Sequence, residues 1–315
     1  MKQLIRIEEI NFQLDENENL LEQKILKILD IKKEQLLSFE IVKKAIDSRN
    51  KGNILIVYSV NIDIGNNEWF FEKKPSPKLE TNIKRHKIRL ITPFLYEVKK
   101  VDLKKVKQRP IVIGTWPSGL FTGLYFALAG LNPIILERGS QVEKRVSQVY
   151  NFFTKRELDE ESNVQFGEWG AGTFSDGKLY TLVNDPRSKF IFSEFVQAWA
   201  PEEIIYSARP HIGTDRLRGV VRNMRKKIIA LGWEIRFDTK VVDIQIENEK
   251  VTGVVLQNGE ILKTDDVVFG IGHSARDTCE MLYKRGLQIS QKPFAIGVRI
   301  EHPREMINKA QFWDA

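Results

Sequence analysis

The segment Gly114-Thr115-Trp116-Pro117-Ser118-Gly119 has the spacing of a glycine turn that seats a dinucleotide pyrophosphate on a helix N-terminus. In that pattern the first glycine makes the tight turn and the second lets backbone approach the phosphates. The third lets the helix pack closely on the strand. Here the first and third are Gly114 and Gly119, and Trp116 stands at the second. Main-chain N–H groups at the helix start would still face an anion. An acidic residue about 20 positions on holds ribose hydroxyls in such sites, and Glu137 ends the next apolar run. A glycine-rich strand–helix turn without a ligand is the competing reading.

A second glycine-rich stretch, NVQFGEWGAGTFSDGKLYT, covers residues 163–181. Its Gly167, Gly170, Gly172 and Gly177, with Thr173, Ser175 and Asp176, suit wrapping a phosphate or ribityl chain with main-chain N–H groups. A surface loop reads equally well. Among the four histidines, His86 lies in a basic region and is expected at the surface. His211 precedes Thr214-Asp215, expected to cap a helix, and His302 precedes a proline. His273, in GIGHSARD, follows a glycine turn and is the first candidate for proton transfer, because imidazole titrates near neutral pH; a structural hydrogen-bonding role competes. Arg276 either pairs with Asp277 or holds an acidic substrate. Cys279 is the sole cysteine, which excludes paired-cysteine redox chemistry. No cluster has metal-ligand spacing and no nucleophile elbow is present.

These residues need a strand–turn–helix–strand unit to position them. RPIVIG and NPIILERG read as short buried strands around the apolar helix SGLFTGLYFALAG. EIRFDTKVVDIQIENEKVTGVVLQNGEIL alternates and carries turn signals at 247–249 and Asn258-Gly259, so a three-stranded β-meander is expected. DDVVFGIG reads as a strand entering a glycine turn. Ahead of this lies a small α+β unit, with strands expected near 4–12, 36–46 and 53–64 and a helix over 17–29. A ferredoxin-like arrangement is compatible, but four elements do not fix a topology. The expected division is residues 1–98, a linker over 99–108, and a core from 109 to 315.

At 315 residues with 42% apolar content, the chain has material for two domains, and one cysteine points to a reducing, cytoplasmic setting. No stretch suits a membrane helix. The net charge of +7 is concentrated early: residues 1–107 hold 22 Lys and Arg against 16 Asp and Glu. Because these charges are interspersed, a solvated face is expected rather than a nucleic-acid surface.

Taken together, RPIVIGTWPSGLFTGLYFALAGLNPIILERG, VQFGEWGAGTFSDGKL, PHIGTDRLRGVVRNMR, IGHSARDT and KPFAIGVRIEHP resemble an uncharacterised family of bacterial FAD-dependent dehydrogenases. The resemblance implies a small α+β domain ahead of a Rossmann-like FAD-binding α/β core of the glutathione-reductase type. It implies FAD as cofactor, with NAD(P)H as a candidate electron donor, and flavin-mediated hydride or electron transfer on a small-molecule substrate of unknown identity. Carried over by motif, Gly114, Trp116, Ser118 and Gly119 would lie at the pyrophosphate, and Glu137 with Arg138 at the adenosine end. Arg145 and the loop Gly170, Gly172, Thr173 and Ser175 would lie along FAD. Val241 would meet adenine through its backbone, and Gly272 would return the chain to the cofactor. A nucleic-acid-associated flavoprotein using the basic N-terminal domain, or a catalytically dead scaffold, are the alternatives.

Two departures accompany the resemblance. Trp116, Trp169, Trp199, Trp233 and Trp313 all fall where the family has glycine. Overpacking costs about 1–3 kcal/mol per site, and positive φ adds about as much. One cause would explain all five: UGA codons that certain bacteria read as glycine and others as tryptophan. The family also continues past position 315, so the chain is expected to be a fragment with apolar surface left uncovered.

Overall fold

The structure, a computed structural model, describes residues 2–312 except Lys73, Tyr180, Leu182, Asn184 and Arg299, and excepting the side chain of Trp69. Trp313 lies outside the described residues.

The first unit runs β1 (Leu4–Gln13), α1 (Leu21–Leu29), β2 (Ser38–Asp47), β3 (Leu55–Asp63), α2 (Trp69–Glu72), α3 (Pro77–Arg85), β4 (Arg89–Ile91). The sheet is antiparallel with order β2-β3-β1-β4, the arrangement of the ferredoxin-like βαββαβ fold. α1 and α3 contact one another, and α1 buries Leu21, Ile25 and Leu29, four residues apart. α3 and β4 lie between Pro75 and Pro93, where weak apolar periodicity hides them. In β1 the buried positions are Ile5, Ile7, Ile10 and Phe12, so the period of two slips once. A bulge between Ile7 and Ile10, with Glu9 at φ 58, absorbs the slip.

That bulge corrects the expectation for His86. Its ring is buried, with Nδ1 3.2 Å from the carbonyl oxygens of both Glu8 and Glu9. The imidazole answers backbone groups that the bulge withdraws from the sheet, and burial lowers its pKa.

The second unit runs β5 (Ile111–Ile113), α4 (Pro117–Leu128), β6 (Ile134–Leu136), α5 (Val142–Lys155), α6 (Ser188–Gln197), α7 (Thr214–Ala230), β7 (Glu234–Arg236), β8 (Val241–Glu247), β9 (Lys250–Leu256), β10 (Ile261–Lys263), β11 (Val267–Phe269), α8 (Arg276–Lys284), α9 (Arg304–Phe312). β5, β6, β7 and β11 form a parallel sheet of order β11-β5-β6-β7. Alternation splits its side chains between two layers. Val112 and Ile135 join Leu120, Leu124, Val220 and Val221 of α4 and α7. Ile111, Ile113, Ile134 and Leu136 face Val241, Ile244, Val254 and Leu256 of the β8–β10 meander. The result is a Rossmann-like α/β arrangement with a three-stranded meander across one face.

Two local expectations change. Residues 234–236, expected at the start of the meander, instead pair in parallel with β6; the meander starts at Val241 and makes its first turn at Asn248 and Glu249, both with positive φ. The helix expected to be capped by Thr214-Asp215 starts at Thr214, with Gly213 at the N-cap. The two units meet where Lys44 N–H donates to the Tyr206 carbonyl and Ala208 N–H to the Lys44 carbonyl. Phe294, Ile296, Val298 and Ile300 are exposed in a stretch without regular structure. Among the described residues, no helix is long and apolar enough to cross a membrane.

Candidate functional site

The site forms at the carboxyl edge of the parallel sheet, where the β5 and β11 turns, the start of α4 and the 163–177 loop converge. Gly114 has φ 90, and a Cβ there would lie 2.5 Å from the Gly270 carbonyl oxygen. A Cβ on Gly119 would overlap the Gly114 carbonyl, and one on Gly270 would come within 2.6 Å of Gly119 Cα. Three glycines thus let two strand ends and a helix start touch through backbone alone. Gly270 belongs to the glycine turn expected at the end of the DDVVFGIG strand.

Glu137 is buried and binds three segments. Its Oε2 accepts from Thr115 N–H (2.8 Å) and Thr115 Oγ1–H (2.6 Å), and its Oε1 from Gly139 N–H (2.9 Å) and Gly167 N–H (3.1 Å). These four bonds fill the carboxylate's acceptor sites, so in this arrangement Glu137 staples loops together. Beside it, Arg138 stacks 4.1 Å over Phe166 and pairs with Glu161 (2.6 Å) and Asp277 (3.0 Å). Lys240 bridges the same two carboxylates at 2.7 and 2.9 Å. Partial burial works against ionisation of Asp277, but hydrogen bonds from Arg138 and Lys240 prevail and hold it at about 2. Asp277 is thus paired with residues distant in sequence. Arg138 and Lys240 of this cluster, with Val241, Ile113 and Trp116, border a cleft of about 30 Å³.

Arg145 is wholly buried. Its guanidinium donates to the carbonyls of Asn163 (2.8 Å), Val164 (3.2 Å), Gly170 (3.0 Å) and Glu168, and to Thr173 Oγ1 (3.0 Å). Gly167, at φ 109, leaves the space through which that side chain passes. Arg145 and Thr173 therefore hold the loop's shape from within, and burial lowers the Arg145 pKa to about 10. Glu168 belongs to the same loop and is buried. Its Oε2 accepts from Val142 N–H and Arg225 (both 2.8 Å), while Oε1 has no partner. Burial pushes its pKa up to about 7; Arg225 favours the ionised form but is shared with Glu143, so burial prevails. Nothing in the sequence pattern marked Glu168 or Arg225, because a buried pair 57 residues apart leaves no periodic signal.

A second cavity, about 490 Å³, opens beside the start of α4. Phe121, Phe192, Phe195 and Trp169 line it, with Ser118, Gly172, Ser175 and Lys178 supplying polar groups. Ser118 and Ser175 are exposed at its rim. His273 is exposed, 6.4 Å edge-on from the Trp116 ring, and within 3.4 Å of Ser274 Oγ. His211 is exposed and paired in a single bridge with Lys178, away from the glycine contacts.

Trp116 borders the narrow cleft. A Cβ on Gly170 or on Gly272 would overlap its indole, and its Nε1 is buried without a partner. Trp169 is buried against Phe121 and Phe195 but has φ 67, a left-handed conformation costing a bulky residue roughly 1–3 kcal/mol. Among the described residues, no group of three or more His, Cys, Asp or Glu could hold a metal.

Residues 4–63 match the family model described as a domain of unknown function, DUF8436. An uncharacterized protein of Clostridium beijerinckii is 43% identical over 312 residues, covering 98% of this chain and 56% of its own length. The chain thus spans about half the length of that relative. Similar solved structures include Thermovibrio ammonificans THI4 (16% identity, 58% of this chain and 64% of that one, TM-score 0.39). Another is glycine oxidase from Bacillus cereus (16% identity, 56% and 58%, TM-score 0.31).

Proposed function

We propose that residues 109–286 form the nucleotide-binding frame of an FAD-dependent oxidoreductase, with a flavin supplying the redox chemistry. The observation that carries this reading is the three-way backbone contact of Gly114, Gly119 and Gly270 at the β5–α4 turn. Such closeness serves a phosphate group at a helix start, where the first-turn N–H groups have no carbonyl partner within the helix. Ser118, Gly172 and Ser175 border the adjoining cavity, which suits the inner part of an extended cofactor. Val241 and Arg138 border the narrow cleft, which suits its nucleoside end.

The residues as they stand do not admit the dinucleotide. The indole of Trp116 fills the gap between Gly170 and Gly272, and the cleft beyond it holds about 30 Å³. His273 lies exposed beside the Trp116 ring. A nucleic-acid role for the first unit draws no support from its charges. Lys2, Lys24, Lys33, Lys44, Lys78, Lys87 and Arg89 each pair with a carboxylate of the same unit.

The test is to load the Trp116→Gly chain with FAD, remove free flavin by gel filtration and read the absorbance. Retained flavin in near-equal ratio to protein is expected. No retention, with the chain folded by circular dichroism, would sink the reading.

A further inference from the structure

Nine non-glycine residues among the described ones have positive φ. Seven are polar: Glu9, Asp30, Lys87, Arg156, Asp238, Asn248 and Glu249. The other two are both tryptophan, Trp169 and Trp199, the residue type least suited to that region by size.

Trp199 is the clearest case. After α6, Trp199 N–H donates to the Val196 carbonyl and Ala200 N–H to the Phe195 carbonyl, the two bonds of a Schellman motif. The residue in the left-handed position of that motif is usually glycine. α4, α7 and α8 follow the rule with Gly130, Gly232 and Gly286, at φ 87, 94 and 86. α6 places Trp199 there at φ 78, with the side chain 83% exposed, so no packing offsets the strain. Trp116 and Trp233 depart differently: each has a buried Nε1 without a partner, and each crowds glycines, Gly170 and Gly272 in one case and Gly123 in the other.

We infer that positions 116, 169, 199 and 233 are glycine in the protein as its own organism makes it, encoded by UGA codons which that organism reads as glycine. Glycine at 116 then opens a groove where the indole now borders the cleft of about 30 Å³ and lies against Gly170 and Gly272. The inference stands on backbone and packing, whether or not that groove takes a flavin.

The deciding experiment reads the four codons in the gene and, by mass spectrometry, the matching peptides of the protein isolated from its source. UGA codons with glycine-containing peptides are expected. UGG, or a tryptophan-containing peptide, at any of the four positions overturns the inference. A second measurement separates backbone strain from mere loss of an indole: the melting temperatures of Trp199→Gly and Trp199→Ala. Both lose the same exposed ring, yet only glycine relieves the left-handed backbone, so Trp199→Gly should melt about 2–4 °C above Trp199→Ala. Equal melting temperatures would remove the structural ground for position 199.

Discussion

The two units bury different kinds of side chain. Between β1 and β4 the core is Ile5, Ile7, Ile10, Phe12, Ile25, Val60 and their neighbours, and its buried polar side chains are Ser59, Asn61, Asn67 and His86. Between β5 and α8 the buried set includes Glu137, Arg145, Glu168, Glu194 and Arg225. Charged groups are almost never fully buried unless paired, because desolvation is costly. Four of these five lie around the 163–177 loop and hold the turns at the carboxyl edge of the parallel sheet. The first unit is held by apolar contact, and the second uses charge to fix the shape of loops. That difference separates a packing module from a region organised around a site.

The contrast can be broken most sharply at Arg145. Arg145→Ala strips the carbonyls of Asn163, Val164 and Gly170 of their donor and leaves the Glu168 carbonyl with the Thr173 hydroxyl alone. A loss of about 3–5 kcal/mol is expected in a denaturant titration, with amide protection lost over the loop and kept in β1 and β3. A loss below about 1 kcal/mol would erase the distinction between the units.

Next is the pH dependence of Glu168. Its carboxyl ionises near 4.5 in the unfolded chain and near 7 when folded. Between those values the unfolded chain has released a proton that the folded chain retains. The stabilising contribution is therefore complete below about pH 4.5 and lost as pH rises through about 7. Relative to Glu168→Gln, the chain should lose about 2–3 kcal/mol across that window, read from parallel urea titrations. Parallel curves would show that burial does not hold this proton.

Smaller effects belong to the first unit. Ile25→Val should cost about 0.5–1.5 kcal/mol, confined to the α1 face and independent of pH. Lys78→Ala removes an exposed pair with Asp30 and should cost less than about 0.5 kcal/mol, vanishing in high salt. A large, pH-dependent loss from either would mean the first unit also rests on charge.

The sequence makes the strands of the site legible, since RPIVIG and NPIILE are short apolar runs beside glycine turns and become β5 and β6. The β8–β10 meander is legible from alternation and turn residues. What periodicity does not carry is which sheet a strand joins, so β7 reads as part of the meander although it pairs with β6. Nor does it carry the burial of polar groups. His86 sits among basic residues yet plugs a bulge 77 residues away, and Arg145, expected along the cofactor, is wholly buried under the loop. Those side chains are held by partners far along the chain, and only the folded backbone brings them together.

On the function proposed above, the glycine contacts at Gly114, Gly119 and Gly270 frame a dinucleotide site which the Trp116 indole closes. The most direct measurement titrates FAD into three chains under one condition, following flavin fluorescence: the chain as it stands, Trp116→Gly, and Trp116→Gly with Gly119→Val. Saturable quenching by Trp116→Gly alone is predicted, because the indole blocks the first chain and a side chain at position 119 would overlap the Gly114 carbonyl in the third. Equal quenching by all three, or none by Trp116→Gly while it remains folded, would contradict the account.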